Sequence, residues 1–243
     1  MQHSSNKTIV LEAYKYLIGQ QRTDLIDTYV SDHYIQHNPG LKDGKAGLRE
    51  ALTYLKQLPQ PAAQQSPVIR ALAADDMVFL HLDLTFGNKK LVVAELYRTE
   101  QGKLTEHWDA IQEQPATTDT AVTMTNGSTV IEDLSLTASN KAIITAFFQR
   151  LCHLPDPITI ASHLSPTCII HDPEIPAIAG RTALKMHRIL AEGNFVVVQS
   201  EGKKAGTPSV FYDIYRLKNG VIAEYWCVSQ AILATMPHTN GMI

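Results

Sequence analysis

Three cysteines in 243 residues, Cys152, Cys168 and Cys227, form no Cys-x-x-Cys pair and leave one over from any pairing. Neither a disulfide framework nor a zinc site is expected from so few at such wide spacing. The chain also lacks an excess of charge: 21 Lys and Arg stand against 24 Asp and Glu. That balance gives no basic footprint for nucleic acid or an anionic membrane surface, and "GNKK" (87–90) reads as a solvated turn. No apolar run approaches the about 18 residues of a membrane-spanning helix, and the first residues, "MQHSSNK", are polar. Neither a spanning segment nor a secretory leader is expected. With unpaired thiols and no leader, the expected location is cytoplasmic, and Asn126-Gly-Ser is a glycosylation sequon in form only. His33 and His37 are four apart, but Pro39 and "YIQH" argue for an extended segment, which separates them too far to share a metal. No metal and no cofactor are expected.

What the chain does have is internal repetition. "NKTIVLEAYKYL" (6–17) matches "NKAIITAFFQRL" (140–151) at an offset of 134. The same offset sets "YIQHNPG" (34–40) over "CIIHDPE" (168–174), placing His37 on His171 and Pro39 on Pro173. Further on, "LAADDMVFLH" (72–81) matches "LAEGNFVVVQ" (190–199), and Glu95-Leu-Tyr-Arg matches Asp213-Ile-Tyr-Arg, now at an offset of 118. Several matches in the same order indicate a tandem duplication. The second unit has lost material corresponding to "LPQPAAQQSPVIRA" and its surroundings. The expected layout is a first domain over 1–115, a Thr- and Ser-rich linker over 116–137 and a shorter second domain over 138–243. Within the linker, "STVIEDLSL" is open to a strand or an ordered strap.

Each unit changes from helical to strand period along its length. Ile9, Tyr14, Leu17 and Ile18 give an apolar stripe at helical spacing, with Ser4 or Ser5 as N-cap. "TDLIDTYVSDHY" reads as a second short helix, and "KAGLREALTYLKQL" as a third, ended by Pro59 and Pro61. Strands follow in "MVFLHLDLTF", "KLVVAELYRT" and "KLTEHWDAI". This is an α+β plan with helices on one face of an antiparallel sheet.

The segment "LYRTEQGKLTEHWDA" (96–110) and its copy "IYRLKNGVIAEYWCV" (214–228) are hairpins. A three-residue loop Glu100-Gln101-Gly102 pairs Glu95 with His107, sets Asp109 one diagonal step away, and gathers Glu95, Tyr97, His107 and Asp109 on one face. The same register pairs Asp213 with Tyr225, with Cys227 in the place of Asp109. A two-residue loop instead pairs Glu95 with Glu106 and puts His107 and Asp109 on the opposite face. Carboxylates beside an imidazole in a half-buried sheet suit proton transfer, since burial raises a carboxyl pKa toward neutrality; a buried structural network is the alternative. Cys227 reads as a small buried hydrophobe. Trp108 and Trp226 read as core or interface anchors, and Arg98 and Arg216 as rim residues or partners of an acidic neighbour.

"YIQHNP", then "VFLH", then "ELYRTEQGKLTEHWD", resembles the SnoaL-like branch of the nuclear transport factor 2-like superfamily. The resemblance covers most of residues 5–115 and, more weakly, 138–235. It implies two tandem cone-shaped α+β barrels, each with N-terminal helices packed in a curved sheet and a pocket at the open end. Polyketide cyclases, ketosteroid isomerase, limonene epoxide hydrolase and non-enzymatic binders share that fold. The resemblance places His37, His81, Glu95, His107 and Asp109 at the first pocket, with Glu95, His107, Asp109 and His37 as candidate catalytic residues. Tyr34, Tyr97, His81 and Trp108, with His171, Asp213 and Tyr225 of the second unit, are candidate ligand contacts.

Two functions remain open at this point. One is a pocket for a small apolar carbonyl or epoxide, with cofactor-free isomerase, cyclase or hydrolase chemistry in the first unit and a degenerate site in the second. The other is a non-catalytic ligand-binding or interaction module, built as an internal pseudo-dimer and able to form a homodimer.

Overall fold

The computed structural model describes residues 5–58, 66–115, 122–153, 157–171 and 180–243. Ser4, Pro59, Pro61 and Pro173, and linker residues 116–121, lie outside this set. The chain begins with α1 (Asn6–Ala13), whose first turn is capped by the Ser5 hydroxyl accepting from the Thr8 amide. A π-helical stretch, Tyr14–Gly19, continues it and carries the apolar stripe inward through Tyr14 and Leu17. The expected second helix is shorter than its pattern. A 3-10 turn (Thr23–Leu25) and α2 (Ile26–Tyr29) give way at Val30 to β1 (Val30–Gln36), where β-branched Val30 begins extended backbone. Then come α3 (Gly44–Leu55), β2 (Val68–Ala74), β3 (Met77–Phe86), β4 (Lys89–Glu100) and β5 (Lys103–Glu113).

The second unit repeats the order with α4 (Thr137–His153), α5 (Pro157–His163), β6 (Leu164–Ile170), β7 (Arg181–Glu192), β8 (Phe195–Lys204), β9 (Thr207–Lys218) and β10 (Val221–Ala231). Its described residues hold no counterpart of α3, and β7 has 12 residues where β2 has 7. The sheets run β1-β5-β4-β3-β2 and β6-β10-β9-β8-β7. They are mixed rather than wholly antiparallel, because β1 lies parallel to β5 and β6 to β10. Each unit carries the same α+β arrangement, helices against one face of a five-stranded mixed sheet, so the arrangement occurs twice in tandem.

Strand alternation sorts the side chains into three cores. Val78, Leu80, Leu82 and Val93 pack with Val10, Ala13 and Leu17 on the helix-covered inner face of the first sheet. Val196, Val198, Phe211 and Tyr215 meet Ile144, Phe147 and Phe148 of α4 in the same way. The outer faces meet each other: Phe79, Val92, Leu96 and Trp108 share one core with Phe195, Val197, Tyr212, Ile214 and Trp226. Both faces of β3 and β4 are therefore buried, which is why the sequence of β3 shows an apolar run rather than an alternation.

Between the units, the described linker residues form no strand; they run as a strap ending in a 3-10 turn, Leu134–Leu136. Gly127 of this strap has φ +93°, and a Cβ there would lie 2.4 Å from Glu224 Oε2 and 2.8 Å from His171 Nε2. Gly127→Ala should therefore destabilise the protein by about 1–3 kcal/mol through backbone strain and contact together. An unchanged urea midpoint contradicts this.

Candidate functional site

The hairpin turn sets the geometry. Gln101 (φ 51°) and Gly102 (φ 78°) are both left-handed, so the loop is a two-residue type I′ turn with Glu100 opposite Lys103. Thr105 then bulges out, and the register continues as Arg98–Glu106, Tyr97–His107, Leu96–Trp108 and Glu95–Asp109. The three-residue loop is thus corrected: Gln101 accepts the left-handed conformation, and the extra residue sits in the bulge. Glu95, Tyr97, His107 and Asp109 still share a face, but Glu95 stands directly opposite Asp109 rather than His107. The second hairpin follows suit with Asn219 (φ 53°) and Gly220 (φ 78°), pairing Asp213 with Cys227 and Tyr215 with Tyr225. The expected Asp213–Tyr225 pair is corrected for the same reason.

On the inner face of the first unit, the Tyr97 hydroxyl donates to Glu95 Oε2, and the Tyr97 ring stacks on His107 with centroids 4.6 Å apart. Gln36 Oε1 takes the Asn38 amide at 2.9 Å and lies 2.9 Å from His107 Nδ1. An amide oxygen only accepts, so Nδ1 carries the ring proton and Nε2 is the bare nitrogen. Burial, helped by His37, pushes the His107 pKa down to about 3, keeping the ring neutral. Asn38 Nδ2 donates to Asp109 Oδ2, while His107 Nε2 and Asp109 Oδ1 are buried without a hydrogen-bond partner among the described residues.

The two carboxyls are driven upward unequally. Burial raises Glu95 from 4.5 to about 8, with the Tyr97 hydrogen bond opposing and the Asp109 charge adding. Burial raises Asp109 from 3.8 to about 6, against the bond from Asn38. Tyr34 completes the surround: its hydroxyl accepts from Gln36 Nε2, and burial, then Glu95 and Asp109, raise its pKa.

His37, His81 and Trp108 do not join this group. His81 on β3 and Trp108 on β5 point to the outer face with Phe79, Leu96 and Glu106, and His37, one residue past β1, packs on that face. His37 Nε2 lies 2.9 Å from Glu106 Oε1 and its ring stacks on Trp108 at 4.9 Å. His171 repeats this, 3.2 Å from Glu224 Oε2 and 4.5 Å above Trp226, so it too is not an inner-face ligand contact. His81 Nδ1 faces Arg70 at 3.0 Å, and burial followed by the arginine's charge pushes its pKa well below the ordinary value. Arg98 pairs with Glu106 and Arg216 with Glu224.

Each unit also lends an arginine to the other's tryptophan. Arg188 lies 3.9 Å above the Trp108 ring and Arg70 lies 4.1 Å above Trp226. Neither arginine stood out in the sequence. The signal was there, since Arg70-Ala-Leu-Ala and Arg188-Ile-Leu-Ala extend the repeat by two residues at the offset of 118. The repeated Glu-x-Trp frame therefore belongs to the contact between the sheets, and the position after Trp belongs to the inner face.

In the second unit that inner face is closed by an ion pair. Arg181, 3% exposed, donates to Asp213 Oδ1 and Oδ2 at 2.8 and 3.0 Å, to the Tyr225 hydroxyl at 3.0 Å and to Cys227 Sγ at 2.9 Å. Tyr225 in turn donates to Asp213 at 2.6 Å. Burial opposes the charge of Arg181, and Asp213 more than offsets it, so the guanidinium stays ionised. Asp213 and Tyr225 are brought together as expected, but around a cation. At the same offset of 118 the first unit has Ala63, outside the described residues.

No family model matches the chain, and no curated protein matches it in sequence. Solved structures do. A steroid delta-isomerase from Pseudomonas aeruginosa is 16% identical with a TM-score of 0.34, over 40% of this chain and 83% of its own. TsrD from Streptomyces laurentii is 12% identical with a TM-score of 0.38, over 46% and 92%. An NTF-2 like protein of unknown function from Burkholderia xenovorans is 13% identical with a TM-score of 0.35, over 41% and 90%.

Proposed function

We propose that the first unit is a SnoaL-like pocket for a small apolar ligand with an enolisable carbonyl, and that it moves protons on that ligand without a cofactor. The observation that carries this is the Glu95–Asp109 pair: two carboxyls opposite each other on one face, with pKa values near 8 and 6. At neutral pH Glu95 keeps its proton and Asp109 has lost its own. Such a split is how one site supplies an acid and a base together. Glu95 keeps some accessible surface, while burial is the largest cause of its raised pKa. Asp109 Oδ1 takes a proton from the carbon beside the carbonyl, and Glu95 gives its proton to the oxygen of the enol that forms. On a ligand with a carbon–carbon double bond β,γ to the carbonyl, return of the proton from Asp109 to the γ-carbon of the dienol, and of the enol proton to Glu95, gives the conjugated isomer. The neutral His107, with Nε2 bare, accepts a hydrogen bond from a ligand hydroxyl. The second unit, with its inner face neutralised by Arg181, acts as the partner half of an internal pseudo-dimer.

Thermal shifts against a panel of apolar enolisable carbonyl compounds test binding, because a ligand of the native state raises its stability. For a compound that is turned over, kcat/KM should be bell-shaped with limbs near pH 6 and 8. Asp109→Asn should lower kcat by about 10²–10⁴-fold. Turnover that survives both Asp109→Asn and Glu95→Gln at the native rate removes the assignment.

A further inference from the structure

After each unit's last strand the chain crosses to the other unit, and both crossings contain Thr-Asn-Gly: Thr125-Asn126-Gly127 and Thr239-Asn240-Gly241. The two glycines have positive φ, 93° and 74°, and Met124, three residues before the first, and Met242, next to the second, are buried in the core shared by both sheets. The first strap lies on the second unit, where the Thr123 carbonyl meets His171 Nδ1 at 3.0 Å. The second, the C-terminal strap, lies on the first unit, where the Gly241 carbonyl meets His37 Nδ1 at 3.0 Å.

The C-terminal strap makes further bonds of its own. Asn240 Nδ2 donates to the Gln36 carbonyl, His238 Nε2 donates to the Asn38 carbonyl, both at 2.9 Å, and Asn240 also bonds Asp43. Asp43 Oδ1 accepts the Gln36 amide at 2.9 Å, closing the loop between β1 and α3 on itself. Gln36 and Asn38 are the two residues whose side chains hold His107 and Asp109. A carboxylate is set by the partners that hold it, and those partners are set by what holds their backbone.

We propose that His238 and Asn240 are positioning residues for the acid–base pair of the first unit, acting through Gln36 and Asn38. The second unit's tail thus completes the first unit's site, and the duplication is a working part of it. The catalytic meaning of this role rests on the proton-transfer reading above; the geometry it asserts does not. Asp109 is faced by Glu95 on β4, Tyr34 on β1, Asn38 in the loop, and through the sheet by Tyr212 on β9. Only Asn38 among them is held by the strap.

The test is a carboxyl ¹³C NMR titration of Asp109 in the full chain, assigned with Asp109→Asn, comparing wild type with the His238→Ala/Asn240→Ala double variant. Both substitutions leave Met242 in place. Loosening Asn38 removes a hydrogen bond to the charged form, so the Asp109 midpoint should rise by about one unit. Single variants should give intermediate shifts. A double variant that melts earlier but titrates Asp109 as wild type does makes the strap merely structural and overturns the proposal. The titration needs no turnover, so its outcome is separate from whether the first unit is an enzyme.

Discussion

Arg181→Ala should lower the unfolding free energy by about 3–5 kcal/mol. The pair is fully enclosed: Arg181 is 3% exposed and Asp213 0%, and two guanidinium bonds plus the Tyr225 hydroxyl satisfy the carboxylate. Removing the cation leaves a charge with no solvent to receive it. Replacing both partners with neutral groups is different, because the desolvation of both ions disappears along with their attraction. Arg181→Met/Asp213→Asn should therefore recover at least half of the loss. Chemical denaturation at pH 7 measures both. A wild-type midpoint for Arg181→Ala contradicts the ion-pair reading of the second inner face.

Glu95→Gln should do the opposite in the first unit: it should stabilise the protein at alkaline pH. Glu95 titrates at about 8 in the fold against an ordinary 4.5. Between those values the native state holds a proton that the unfolded chain has released. Stability is fully present below the unfolded value, falls as pH rises through the window, and levels off above pH 8. The shift sets a ceiling of ~5 kcal/mol on the loss. Asp109 adds a smaller loss in the same direction between 3.8 and about 6. Gln resembles the protonated carboxyl, and its Oε1 can still accept from Tyr97, so the variant escapes most of the Glu95 share. Thermal melts at pH 5 and pH 9 should show little difference at the first and a higher melting temperature for Glu95→Gln at the second. Equal curves at pH 9 place Glu95 in ordinary solvent.

The repeat made the fold legible in the sequence, because helices, strands and hairpins recur at two fixed offsets and each copy supports the other. The face shared by Glu95, Tyr97, His107 and Asp109 was legible because strand alternation has a period of two, and a two-residue turn followed by one bulged residue restores the same parity as a three-residue loop. The partner across the strand was not legible. Gln101 carries no mark of left-handed backbone as Asn219 does in the copy. His81 could not be placed, since β3 is apolar on both faces and offers no alternation to read. His37 follows Gln36 at the end of β1, and one residue there is the difference between the inner face and the contact between sheets. Arg181 and the tail residues His238 and Asn240 act over separations of 32 to 204 residues, which no local pattern encodes.

Glu95 and Asp109 stand at the centre of the account, and their titration tests it most directly. Carboxyl ¹³C shifts of both side chains followed from pH 4 to pH 10 should show two separate steps, Asp109 near 6 and Glu95 near 8. Both carboxyls titrating together near pH 4 would mean a hydrated pair, and the first unit would then have no acid and base to offer a ligand.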